Sequence, residues 1–338
     1  MSSDYGYINA RVRGLKSKLL APEFYNEALN ASDFRAFLST LGQSPYGRDL
    51  EEAQSRSQGL KVLDEALARN FYATARSIAG FSDGRAGELI DLMLLRYDLA
   101  NIKTIARAKH AGRGLEDIQQ SLIPAGSLKP AVLENAAAGA DMAAVAQALL
   151  VSPTPLRSAF ARTAANYQTD RDLYKLELEL DRAYFKLLLE GLDDAKAPAE
   201  FIRYTRREID ATNLRTALKL RSSGSATSDE LFISGGKEIT RALFDSIVND
   251  RGSSTIQGLG STSFAAVADA PSMAQAEDVI RNVLNQNARR ISADPLDIGV
   301  VVNFLRLKET ETAKLRLLGR GKFYNVPRDR LAKELGNA

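Results

Sequence analysis

Three short stretches each set an acid, a polar residue three positions on, and a base two beyond that. They are Asp98, Asn101 and Lys103; Asp210, Asn213 and Arg215; and Glu309, Thr312 and Lys314. Carboxylates can act as general acids or bases, or as oxygen ligands to a hard cation. The repetition argues for a different chemistry. On a helix an acid and a base five apart lie on neighbouring faces, so each triad can reach partners on adjoining segments. A catalytic centre needs one constellation. A triad present three times suits a packing staple, in which each buried polar group finds a partner and so fixes geometry. No catalytic, cofactor-binding or metal-ligating residue is assigned.

Other routes to chemistry are closed by composition. There is no cysteine, which excludes disulfides, thiolate nucleophiles and cysteine metal sites. The one histidine, His110, stands in a basic stretch after a predicted helix and reads as a helix-terminal surface group. Ser234-Gly235-Gly236-Lys237 looks like a phosphate loop but lacks the G-x-x-x-x-G-K-[ST] spacing, and Glu238 follows the lysine. A plain turn before a helix is the expectation there.

A basic flank follows each triad: Arg107, Lys109 and Arg113; Lys219 and Arg221; Arg316, Arg320 and Lys322. Bases at a helix C-terminus complement the negative end of its dipole. The same residues are candidates for a contact rim facing an acidic partner or a polar membrane-side surface. Of the paired aromatics, Tyr5 and Tyr7 are the expected surface pair; Tyr184-Phe185, Phe323-Tyr324 and the others fall at core spacing.

The elements that must position these groups read as helices. Leu92, Leu95, Leu99, Ile102 and Ala106 recur at steps of three and four, as do Leu173, Leu176, Leu180, Tyr184 and Leu187. Pro22 and Pro198 suit the first turn of a helix, Ser82-Asp83 opens another, and Asp294-Pro295-Leu296-Asp297 offers a cap, a first-turn proline and an acid. Period-two alternation is confined to a patch near Leu231-Phe232-Ile233, too brief for a sheet.

The triad acids lie 112 and then 99 residues apart. A second series runs upstream at a similar period: Leu41-Gly-Gln-Ser44-Pro45-Tyr46, Leu150-Val-Ser152-Pro153-Thr154 and Leu259-Gly-Ser261-Thr262-Ser263-Phe264. Two series in the same order predict an all-α chain of three related units, 1–113, 114–223 and 224–338, each of ordinary domain size.

Charge bounds the partners. The 338 residues carry 45 basic and 42 acidic side chains, a net charge of +3, without the clustered excess of a nucleic-acid binder. No stretch matches the ~20 apolar residues of a membrane span, and the beginning MSSDYGYINAR lacks a secretory layout. A soluble protein kept in the cytosol is the expectation.

The opening YGYINARVRGLKSKLL, the FYNEAL that follows and the Leu-Gly-x-Ser-Pro-Tyr stretch resemble the C subunit of bacterial and archaeal V/A-type ATPases, the counterpart of the eukaryotic d subunit. LLRYDLANIKTIARAK, IDATNLRTALKL and DPLDIGVVVNFLRLKETETAKLRLLGRGK match that family's three repeats, with Thr312-Ala313 where an Asn-Leu pair is usual. The resemblance implies three similar helical domains in a pseudo-threefold, funnel-shaped arrangement. It also implies a non-catalytic central-rotor connector without cofactor, on the cytoplasmic side of a membrane complex. Its partners would be the central-shaft subunits and the proteolipid ring, with no nucleic acid. The other reading considered is a helical-repeat scaffold binding protein or RNA.

Overall fold

The computed structural model describes residues 5–119, 121–224, 231–249 and 258–337. Among them there are helices, turns and loops and no strand. In chain order the helices are α1 (Gly6–Lys16), α2 (Pro22–Asn30), α3 (Phe34–Gly42), α4 (Gly47–Gln54), α5 (Leu60–Ala79), α6 (Gly84–His110), α7 (Leu115–Gln119), α8 (Pro130–Ala138), α9 (Met142–Leu150) and α10 (Arg157–Asp170). They continue as α11 (Leu173–Asp194), α12 (Ala199–Ser223), α13 (Arg241–Asn249), α14 (Met273–Ile291), α15 (Gly299–Phe323) and α16 (Arg328–Asn337).

The same local signals start equivalent helices. Proline occupies the first turn of α2 and α8, where its missing N–H costs no helical bond. Asp33 and Asp141 cap α3 and α9, each side chain accepting from the N–H three residues on. A long helix then precedes a longer one at α5–α6, α11–α12 and α14–α15. The expected opening of α15 at Asp294 is displaced: the helix begins at Gly299. Asp294 and Asp297 instead accept from the N–H groups of Leu296 and Gly299, so the acids hold a turn before the helix.

The chain divides into two compact units: Met1–Leu180 with Phe304–Ala338, and Asp181–Asn303. In the first, Leu315 and Leu318 of α15 and Leu331 of α16 pack with Phe37, Leu41, Leu50, Leu63 and Leu67 of α3–α5. In the second, Leu214, Ala217 and Leu220 of α12 pack with Phe244 and Ile247 of α13 and with Ile280 and Leu284 of α14. Each fully buried Leu, Ile or Phe contributes about 1.5–3 kcal/mol, so these motif-helix faces carry much of the cohesion of both cores. Tyr5 departs from expectation: it is buried while Tyr7 is exposed. Phe323 and Tyr324, expected in the core, are exposed at the end of α15.

Candidate functional site

The first two triads clamp a downstream loop in the same way. Asn101 pairs with both backbone groups of Ile123: its Nδ2 donates to the carbonyl at 2.7 Å and its Oδ1 accepts from the N–H at 2.8 Å. Asp98 accepts from the N–H of Leu128 at 3.0 Å and from the N–H and hydroxyl of Ser127 at 3.2 and 2.5 Å. Asn213 repeats the two bonds on Ile233, at 2.8 and 2.9 Å. Asp210 accepts from the N–H groups of Lys237 and Glu238 at 3.0 Å and Ile239 at 2.9 Å. The period-two patch at Leu231–Ile233 thus forms no strand, and the backbone of Ile233 bonds an asparagine side chain in place of a sheet neighbour.

Glycine is required where the loops cross the acids. A Cβ on Gly126 would collide with the Asp98 carboxylate, and one on Gly236 with that of Asp210. Burial pushes both carboxyls above the ordinary aspartate range, and the loop hydrogen bonds offset only part of that shift.

The bases complete the pattern. Lys103 Nζ lies 3.6 Å from Glu177 of α11, and Arg215 Nε lies 2.7 Å from Glu277 of α14. Each motif helix is therefore fixed twice: to a loop through its acid and to the next long helix through its base.

At the third triad the loop contact falls two residues beyond the expected Glu309. Glu311 Oε2 accepts from the N–H of Leu20, just before α2, at 2.6 Å. Leu128 and Ile239 hold the corresponding places ahead of α8 and α13. Glu311 Oε1 also accepts from the Tyr46 hydroxyl at 2.7 Å and from Lys308 Nζ at 2.8 Å. The base of this register is Arg316, whose Nε lies 3.4 Å from Asp64 of α5. Leu315-Arg316 follow Glu311 as Ile102-Lys103 follow Asp98 and Leu214-Arg215 follow Asp210. The last motif helix thus docks on the first helices of the chain.

Glu309 has different work. It accepts from the Tyr97 hydroxyl at 2.7 Å and lies 3.5 and 3.4 Å from Arg96 and Arg306. Burial alone would raise its pKa, but the two guanidiniums and the hydroxyl outweigh burial and hold it below the ordinary glutamate value. Thr312 turns its hydroxyl onto the Lys308 carbonyl of its own helix, and Lys314 lies over the Tyr25 ring.

The upstream series ends helices or turns with a hydroxyl. Ser44, Ser152 and Thr262 donate to the carbonyls of Leu41, Leu149 and Leu259, so the third member is Thr262 and not Ser261. Tyr46, Thr154 and Phe264, two residues later, are all fully buried.

The basic flanks divide. Arg107 forks onto Glu177, Arg316 and Arg320 face Asp64, and Lys322 donates to the carbonyls of Leu29 and Ala31 at the end of α2. Burial raises the Asp64 carboxyl despite both guanidiniums. Arg113 and Lys219 are exposed or nearly so, while Lys109 and Arg221 are half-buried. His110 ends α6 with its Nδ1 2.6 Å from the Tyr167 hydroxyl.

Chemically this arrangement locks segments together. The motif acids face backbone N–H groups and buried donors, and the amides of Lys237 and Glu238 point at Asp210 and so are not available to cradle a phosphate. No helix among the described residues is long and apolar enough to cross a membrane.

The family model described as "ATP synthase (C/AC39) subunit" matches residues 8–334. The C subunit of the V-type ATP synthase of Deinococcus radiodurans is 37% identical over 337 residues, covering 99% of this chain and 92% of that protein. The protein of the same name from Thermus thermophilus is 32% identical, with 99% of each chain covered. The C subunit of the A-type ATP synthase of Methanosarcina acetivorans is 28% identical, covering 95% of this chain and 89% of that one. Matched along nearly its full length, the chain belongs to the ATP synthase (C/AC39) subunit family.

Proposed function

We propose that the protein is a non-catalytic connector in the central rotor of a V/A-type rotary ATPase or ATP synthase. It joins the central shaft to the membrane proteolipid ring on the cytoplasmic side and serves ATP-linked proton or sodium transport. The observation that carries this reading is the match along the whole chain to C subunits of V-type and A-type ATP synthases.

The polar clamps support a mechanical role. Charge-assisted bonds between helices and loops resist relative sliding, and buried polar networks hold one geometry because every alternative leaves a group unpaired. The docking of α15 on the start of the chain, through Glu311 and Leu20, suits a closed arrangement of repeats 1–113, 114–223 and 224–338 in a pseudo-threefold funnel. Such a body would transmit torque without a flexible linker. Lys109, Arg113, Lys219 and Arg221 are proposed to meet the shaft or ring. Arg107, Arg316, Arg320 and Lys322 would hold the helix ends that present them.

A tagged chain isolated from its own membranes in mild detergent tests the reading. Shaft and proteolipid subunits are expected to copurify. Recovery of the chain from intact complexes without either, or turnover of ATP by the purified chain alone, would overturn it.

A further inference from the structure

We propose that the unit formed by Asp181–Asn303 carries a binding site for a phosphate monoester group. The site is a cleft of about 610 Å³ lined by Arg203, Arg206, Arg207, Lys237, Ser261 and Thr262. That volume falls within the ~300–1,000 Å³ of small-ligand pockets. The proposal does not depend on the rotor reading.

The carboxylates in the cleft are already satisfied. Glu238 Oε1 accepts from Nε and Nη2 of Arg207 at 3.1 and 2.7 Å, and its Oε2 accepts from the Ser263 N–H at 2.6 Å. Asp210 is turned onto three backbone N–H groups, and Arg203 pairs with Glu200 on its own helix. Arg206 and Lys237 are exposed and have no acidic partner among the described residues. Two positive charges therefore remain on a concave wall, beside the exposed hydroxyl of Ser261. A phosphate monoester carries about −1.5 to −2 at pH 7 and offers three acceptor oxygens. A guanidinium fork matches two of those oxygens, and a lysine supplies a point charge.

The clamp itself does not require this basic face. At the offsets of Arg203, Arg206 and Arg207 from Asp210, the helix before Asp98 carries Asp91, Leu94 and Leu95. The helix before Glu311 carries Phe304, Leu307 and Lys308. Only the second motif helix places three arginines there, next to a lysine from the loop that it clamps.

The full chain is titrated calorimetrically with glycerol 3-phosphate, and floated with phosphatidylcholine vesicles with and without phosphatidic acid. Saturable binding of glycerol 3-phosphate supports a soluble ligand, and flotation that requires phosphatidic acid supports a lipid headgroup. Either response should fall at least tenfold in the Arg206→Ala/Lys237→Ala double variant. It should be unchanged in Lys333→Ala, a substitution at an exposed base outside the cleft, with helical circular dichroism retained in both. No saturable response to either probe overturns the proposal, as does an undiminished response in the double variant. Binding of a polyglutamate peptide without response to the phosphate probes also overturns it.

Discussion

Removing Glu311 is expected to cost far more stability than removing Glu309. In Glu311→Ala, the N–H of Leu20, the hydroxyl of Tyr46 and the ammonium of Lys308 lose an acceptor together. Lys308 and Glu311 are a buried pair, with side chains 7% and 3% exposed. Breaking a buried pair from one side costs about 3–5 kcal/mol, because the remaining charge is left in a poorly solvating place. Burial already lowers the Lys308 pKa, and loss of the opposing Glu311 charge should lower it further. At about 1.4 °C per kcal/mol for a chain of 338 residues, the melting point should fall by about 4–7 °C. Glu309 keeps a quarter of its side-chain surface exposed, and its arginine partners can reach water, so Glu309→Gln should cost only about 1–2 kcal/mol. Lys308→Met/Glu311→Leu should recover much of the loss, since an apolar replacement of a buried pair is often near neutral. Urea and thermal unfolding followed by circular dichroism, with hydrogen exchange at Leu20, measure all three. A Glu311→Ala cost under about 1 kcal/mol, or one smaller than that of Glu309→Gln, would refute the assigned register.

The clamps have further measurable consequences. Gly236→Ala and Gly126→Ala should each destabilise by about 1–3 kcal/mol by forcing the loop off its acid, as chemical denaturation would show. Asp98 and Asp210 should titrate above the ordinary aspartate range by carbon-detected NMR. Between the unfolded and the raised folded values the folded chain binds more protons. Their protonation therefore favours folding most at low pH and less as pH rises through that window, a slope that Asp→Asn variants should lack. Glu309 behaves in the opposite sense: its contribution is present above the unfolded glutamate value and fades as pH falls through its depressed folded value. Reversing charge at Arg113 and Lys219 should weaken assembly into the complex while changing stability by less than about 0.5 kcal/mol, measured by pull-down and thermal unfolding.

The helices and two of the three motif acids are legible in the sequence because their signals are local. Apolar residues at steps of three and four mark the buried faces of α6 and α11, and an aspartate with an asparagine three on announces the clamp. The third acid is hidden by a close decoy. Glu309 and Glu311 both precede a base by five, and Thr312 imitates the asparagine at the Glu309 register. The deciding fact is a partner 291 residues away, the N–H of Leu20, which no window along the chain reveals. The start of α15 is obscured for a related reason. Asp294 and Asp297 do accept from backbone N–H groups, but they hold a turn, and capping chemistry does not record how many residues follow before the helix. The salt bridges of the triad bases and basic flanks are equally out of reach, since Glu177, Glu277 and Asp64 lie on other helices.

A connector must turn with the rotor. The chain has no native cysteine, so a single Lys219→Cys can be cross-linked selectively within the assembled complex. Joined to the shaft, it should leave ATP-driven rotation unimpaired; joined to a stationary part of the complex, it should stop rotation. Arrest by the shaft cross-link, or free rotation with the chain fixed to a stationary part, would contradict the connector role.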